Sequence, residues 1–160
     1  MPQAETLSQL PIFAELTQSQ ADEIAEFARE VSFEQDEVIL RTGRPSKFLY
    51  ILLTGCVRVE VKAKAFSYCV QELGPGDVFG WSALLGQHDT LFQVRARDAS
   101  RALRLDADDL AAIFRKDSSL EAKLLRRSLR VAADRIQATE KKLGQLFGLD
   151  MAAPNGSAAS

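Results

Sequence analysis

The chain has 160 residues, 46% apolar and 26% charged, with a formal net charge of −2. That is the balance of an ordinary globular protein, with room for one cored domain and a modest appendage. The charge gives no global basic field to recruit nucleic acid, and no apolar run approaches the roughly 18 residues of a membrane-spanning helix. The opening MPQAETLSQLPIF has neither the basic start nor the apolar stretch of a signal peptide, so a cytoplasmic protein without a membrane partner is expected.

Short helices are expected first, over residues 7–13 and then 17–29. Thr17 or Ser19 can cap the second, and Ile24, Phe27 and Ala28 form its apolar face. From residue 31 to 106 the pattern changes to short runs of β-branched and aromatic residues: 38–40, 48–53, 56–61, 66–73, 92–96 and 102–105. Gly43, Pro45, Gly55, residues 62–65 and Gly74-Pro75-Gly76 punctuate them. Strands this short, at intervals of roughly ten residues, suggest a barrel or sandwich, and the strict alternation of Val57-Arg-Val-Glu-Val61 leaves one face wet.

Asp106 is a good N-cap for a helix over 109–114, with acids placed favourably in its first turn. The longest regular element follows, over 118–147. Its residues Ala122, Leu125, Leu129, Ala132, Ile136, Thr139, Leu143 and Leu146 recur in alternating steps of three and four, a heptad seam. Leu120, Leu124 and Val131 lie off the seam, where they can pack the helix back on the barrel. Thirty residues make about 45 Å of helix, longer than a small barrel can cover, so a parallel pair of these helices in a homodimer is expected. Ala132 and Thr139 allow close approach but bury little, so the pair needs help from the barrels. Domains are expected at 1–117 (roll with leading helices) and 118–147 (dimer helix), with a disordered small-residue tail at 148–160.

Cys56 and Cys69 fall in strand-like runs and read as small apolar filler. His88, the only histidine, reads as a solvated loop residue, and no metal set or catalytic constellation accompanies it. Asp106, Asp108 and Asp109 are explained by capping, so the chain reads as no enzyme. The long helix carries an excess of basic residues, among them Lys123, Arg126, Arg127, Arg130 and Arg135, which reads as a solvated face. Nucleic acid is not an expected partner.

The most informative stretch is Leu73-Gly-Pro-Gly-Asp-Val-Phe-Gly-Trp-Ser-Ala-Leu-Leu85, where a glycine-punctuated strand end enters a short helix. Backbone N–H groups at such a start form an anion site without side-chain charge. Taken with the leading helices, the strand run, Val94-Arg-Ala96, the stretch from Leu105 to Phe114 and the long helix, this order resembles the cyclic-nucleotide-binding domain family. It resembles in particular the catabolite-activator branch, over about residues 7–147 and without a helix-turn-helix domain. The resemblance implies an α+β fold: a β-roll (a double-stranded β-helix or jelly-roll-like barrel) with short N-terminal helices and a long C-terminal dimerisation helix.

It also implies ligand contacts at Phe79, Gly80, Trp81, Ser82, Ala83, Thr90, Leu91 and Thr139, and a dimer interface of Leu125, Leu129, Ala132, Ile136, Thr139, Leu143 and Leu146. The cassette is degenerate. Trp81 stands at the family's glutamate position, and no Arg or Lys occurs between Gly80 and Arg95, with Thr90 at the arginine's place. Losing two charge-assisted hydrogen bonds at about 1.5–3 kcal/mol each weakens cyclic-nucleotide binding by roughly 10²- to 10⁴-fold. Trp81 leaves three readings open: it stacks on a purine, it fills the pocket, or the cavity takes a less charged ligand. Two functions follow. One is a sensor of cyclic AMP, cyclic GMP or a related anion that signals through its dimer helix. The other is a ligand-free interaction module acting through a protein partner.

Overall fold

The computed structural model describes residues 4–85, 89 and 92–148. The expectations for His88, Thr90, Leu91 and the tail beyond Gly148 lie outside the described residues. Two four-stranded antiparallel sheets form the roll, in the orders β1-β8-β3-β6 and β2-β7-β4-β5. The strands are β1 (Arg29–Phe33), β2 (Val38–Leu40), β3 (Phe48–Thr54), β4 (Val57–Lys62), β5 (Ser67–Leu73), β6 (Val78–Phe79), β7 (Phe92–Ala96) and β8 (Ser100–Asp106). Helices α1 (Ala4–Ser8), α2 (Gln18–Phe27), α3 (Ala107–Lys116) and α4 (Ser118–Leu146) flank them, with a short 3-10 turn at Pro11–Phe13. The expected β-roll with its long C-terminal helix is present.

Two apolar cores share the first sheet. Strand β3 reads as a continuous apolar run because both its faces are covered. Leu49 and Ile51 join a core under the helices with Leu7, Phe13, Ile24, Leu110, Leu120 and Leu124. Tyr50 and Leu52 face the other way, into a second core between the sheets with Val57, Val59, Phe79 and Val94. Strand β8 divides in the same manner, Leu103 and Leu105 toward the helices and Ala102 toward the sheets. This period-two partition is what lets one sheet serve a helical layer and a ligand-sized interior together.

Helix α2 ends earlier than its sequence pattern suggests. The Ala28 N–H makes the last helical bond, to Ile24 O (3.0 Å), and Arg29 then enters β1 against β8. The Arg29 guanidinium donates to Glu26 O and Ala28 O (2.7 and 2.9 Å), closing the helix end. The ladder on β8 outcompetes one more helical turn. At the other end Thr17 and Gln20 form a reciprocal capping box.

Gln20 also ties the leading helices to the last one. Its amide donates to Asp117 Oδ2 (2.9 Å), and its Oε1 accepts from Lys123 Nζ (2.9 Å). Asp117 in turn caps α4, accepting from the Leu120 N–H (3.0 Å). Arg127 Nε donates to Pro11 O (2.9 Å), and Leu120 and Leu124 are fully buried, which seats the first half of α4 on the helical layer. Leu120, Leu124 and Val131 thus pack against the roll as their off-seam positions suggest, with Ser128 buried on the same stripe.

Strand β6 ends at Phe79, and Gly80, whose backbone is left-handed (φ +73°), opens a second 3-10 turn, Trp81–Leu84. A Cβ at Gly80 would lie 2.5 Å from Phe48 O and 3.0 Å from Ser46 Oγ. Strain in φ and a backbone collision therefore coincide. Gly80→Ala is expected to cost at least about 1–2 kcal/mol and to lower the melting temperature by several degrees. An unchanged thermal unfolding midpoint would contradict this geometry. Hydrogen bonds from Gln20 and the Leu120 N–H hold the Asp117 carboxyl below its usual 3.8. A depressed folded-state pKa contributes stability above 3.8 that is lost as pH falls through and below that value. Asp117→Ala is thus expected to lower the midpoint at pH 7, by a margin that narrows toward pH 3 in melts run across that range.

Candidate functional site

The open end of the inter-sheet core widens into a cavity of about 410 Å³, within the range of small-molecule sites. Its walls come from three sources. Strands supply Leu40, Val59, Val70, Gln71, Phe79, Phe92 and Val94; the turn supplies Gly80, Trp81 and Ser82; and α4 supplies Ala132, Arg135, Ile136, Thr139 and Glu140. Asp89 completes the described lining.

The floor is aromatic. Phe79 is fully buried and stacks on Tyr50 with ring centroids 4.9 Å apart and planes 6° from parallel. Phe33 and Phe48 meet Tyr50 edge-on, and burial raises the Tyr50 hydroxyl above its ordinary pKa, so it stays neutral. Trp81 stands in the wall with one side against the helix-side core, and it leaves the cavity open rather than filling it. Ser82 Oγ accepts from the Ser46 N–H (3.0 Å), and Ser46 Oγ donates to Phe48 O (2.6 Å), which pins the turn to the start of β3. Within the turn the Ala83 N–H is already used by Gly80 O (3.0 Å).

Of the residues expected from the sequence, Phe79, Gly80, Trp81, Ser82 and Thr139 meet at the cavity. Ala83 instead faces the helix-side core. The Thr139 hydroxyl donates to Arg135 O (2.8 Å), which leaves its lone pairs as acceptors. Among the seam residues, Ala132, Ile136 and Thr139 line the cavity, while Leu129, Ile136, Leu143 and Leu146 are 70, 59, 53 and 58% exposed.

Sequence reasoning placed Arg135 on the solvated face of the long helix; in the structure it lines the cavity. Its Nη2 is buried and has no hydrogen-bond partner among the described residues. Desolvation lowers its pKa to about 10, against a smaller opposing pull from Asp77, so it remains charged at neutral pH. Arg135 precedes Thr139 by four residues and so shares its helix face, but only the docking of α4 turns that face into the cavity. Arg95, next in sequence after the turn, is spent elsewhere. Its Nε lies 3.4 Å from the buried Glu60 carboxylate and its Nη1 donates to Asp36 O (2.9 Å). Among the described residues no three His, Cys, Asp or Glu side chains converge as a metal cage, and no helix is long and apolar enough to cross a membrane.

Comparison with known proteins agrees with this geometry. A protein named as a potassium channel protein from Rhodopseudomonas palustris is 26% identical over 152 residues. The match covers 95% of this chain and 34% of that protein, so the chain spans about a third of its relative's length. The crystal structure of a cyclic nucleotide-binding protein from Geobacter metallireducens superposes with a TM-score of 0.75 at 25% identity, over 85% of this chain and 99% of that one. The regulatory subunit of a cAMP-independent protein kinase A from Trypanosoma cruzi, bound to guanosine, gives a TM-score of 0.71 at 20% identity, over 91% and 50%. The family described as cyclic nucleotide-binding domain matches residues 30–117. With the two-sheet roll, the turn at Gly80 and the cavity beneath the long helix all in place, the chain belongs to the cyclic nucleotide-binding domain family.

Proposed function

We propose that the chain is a non-enzymatic regulatory sensor. Its cavity takes a small anionic ligand, a cyclic nucleotide or a related molecule, and α4 carries the signal within a homodimer. In this reading residues 1–117 sense and residues 118–147 pair. The observation that carries it is the shared wall: the 410 Å³ cavity is lined by the roll and by five residues of α4 together. A ligand there touches both parts, so occupancy and helix position are thermodynamically linked. The aromatic floor and Trp81 suit a planar base. The exposed Leu129, Ile136, Leu143 and Leu146 form the apolar stripe that a second copy would cover. The alternative, a ligand-free interaction module, draws on the missing cassette arginine and glutamate.

Thermal unfolding followed by Trp81 emission, with and without millimolar cyclic AMP, cyclic GMP or guanosine, separates the two. Ligand at 100 times its dissociation constant adds about 2.7 kcal/mol, several degrees for a domain of this size. An upward shift is expected, and no shift with any of the three would sink the nucleotide reading. Sedimentation equilibrium of the Leu129→Glu, Leu143→Glu double variant tests the pairing. It is expected to be monomeric where the wild-type chain is dimeric, and a dimer that survives both charges would place the interface elsewhere.

A further inference from the structure

The stripe of α4 that faces the roll runs Leu120, Leu124, Ser128, Val131 and then Arg135. A cation thus occupies a position where the preceding turns carry apolar or small residues. Burying a guanidinium N–H without a partner is costly, and such a group calls for a partner. The neighbours do not. Arg135 makes no ion pair among the described residues, and Asp77 acts on it only at a distance. Glu140 and Asp89, the acids of the described lining, are both exposed. No other Arg or Lys belongs to the described lining, and residues 81–94 contain none.

We infer, on the footing of the sensor reading above, that Arg135 of α4, and not a residue of the loop after Gly80, supplies the counter-charge for a ligand with one anionic group and an apolar or aromatic body. The ligand's charge is held by α4 itself rather than by the roll. Its body rests on the Phe79 floor and beside Trp81, and its anion draws on the helix one residue from Ile136 of the seam. The charge that the resemblance expects in the cassette is then supplied from the helix.

Calorimetric titration of the whole chain with guanosine and with 3′,5′-cyclic GMP, which share base and ribose and differ by the phosphodiester, tests this. Cyclic GMP is expected to bind the wild-type chain about 10- to 100-fold more tightly than guanosine. In Arg135→Gln that gap closes while guanosine affinity stays within about threefold, and Arg135→Lys restores part of it. Ligand-free Arg135→Gln is expected to melt at or above the wild-type temperature, since a partly buried guanidinium with an unpartnered N–H has been removed. Guanosine binding as well as cyclic GMP, or a gap that survives in Arg135→Gln, overturns the assignment and leaves the sensor reading standing. A sharp drop in melting temperature, or loss of the dimer with the gap intact, makes Arg135 a structural or interface residue and overturns it too. Binding of neither probe to the wild-type chain overturns the assignment for a guanine nucleotide, and failure of cyclic AMP as well removes the nucleotide reading on which it rests.

Discussion

The seating of α4 on the helical layer is the constraint on which the rest depends. Leu120 and Leu124 are fully buried, each contributing about 1.5–3 kcal/mol of apolar transfer. Asp117, Gln20, Lys123 and Arg127 fix the rotation and height of the helix at that point. From there α4 is a rigid rod. Arg135 lies eleven residues beyond Leu124, about 16 Å along the axis at 1.5 Å per residue. With one end fastened, helical periodicity alone decides that Ala132, Arg135, Ile136 and Thr139 close the cavity.

Most of the fold was legible because its signals are local and periodic. The apolar run of β3, the alternation of β4, the Asp106 cap and the seam of α4 all declare themselves within a dozen residues. Strand β1 and the two-residue β6 were not, since they exist by pairing with β8 and β3 far away in sequence. The turn at Gly80 was legible through its glycine, which the positive φ and the nearness of Phe48 O now explain. Arg135 was not. In sequence it is one of seven basic residues on a long helix, and only the docking of that helix turns this one inward while Lys123 and Arg127 bond to the N-terminal segment.

The cavity's composition narrows what it can hold. Apolar and aromatic groups make up most of the described wall, and α4 supplies half of its polar side chains, Arg135, Thr139 and Glu140, beside Gln71, Ser82 and Asp89. A strongly charged, fully hydrated solute would lose more solvation there than one guanidinium returns. A molecule with a flat apolar body and a single anionic group fits that distribution, since its body replaces water against Phe79 and Trp81 while its anion stays beside the helix.

The seam and the cavity overlap, and this has a thermodynamic consequence. Ala132, Ile136 and Thr139 belong to the heptad stripe and also line the cavity, while Ile136 remains 59% exposed in the single chain. In the proposed dimer one short stretch of α4 would face two occupants, a ligand on one flank and a second helix on the other. Whatever rotation of α4 improves one contact alters the other, because the residues are the same and the helix is stiff. Linkage is reciprocal: if ligand changes the dimerisation constant by some factor, dimerisation changes ligand affinity by that factor. A roll whose cavity was closed by its own loop would have no such coupling. If α4 is the helix that pairs, placing the wall of the cavity on it makes binding and assembly two readings of one equilibrium.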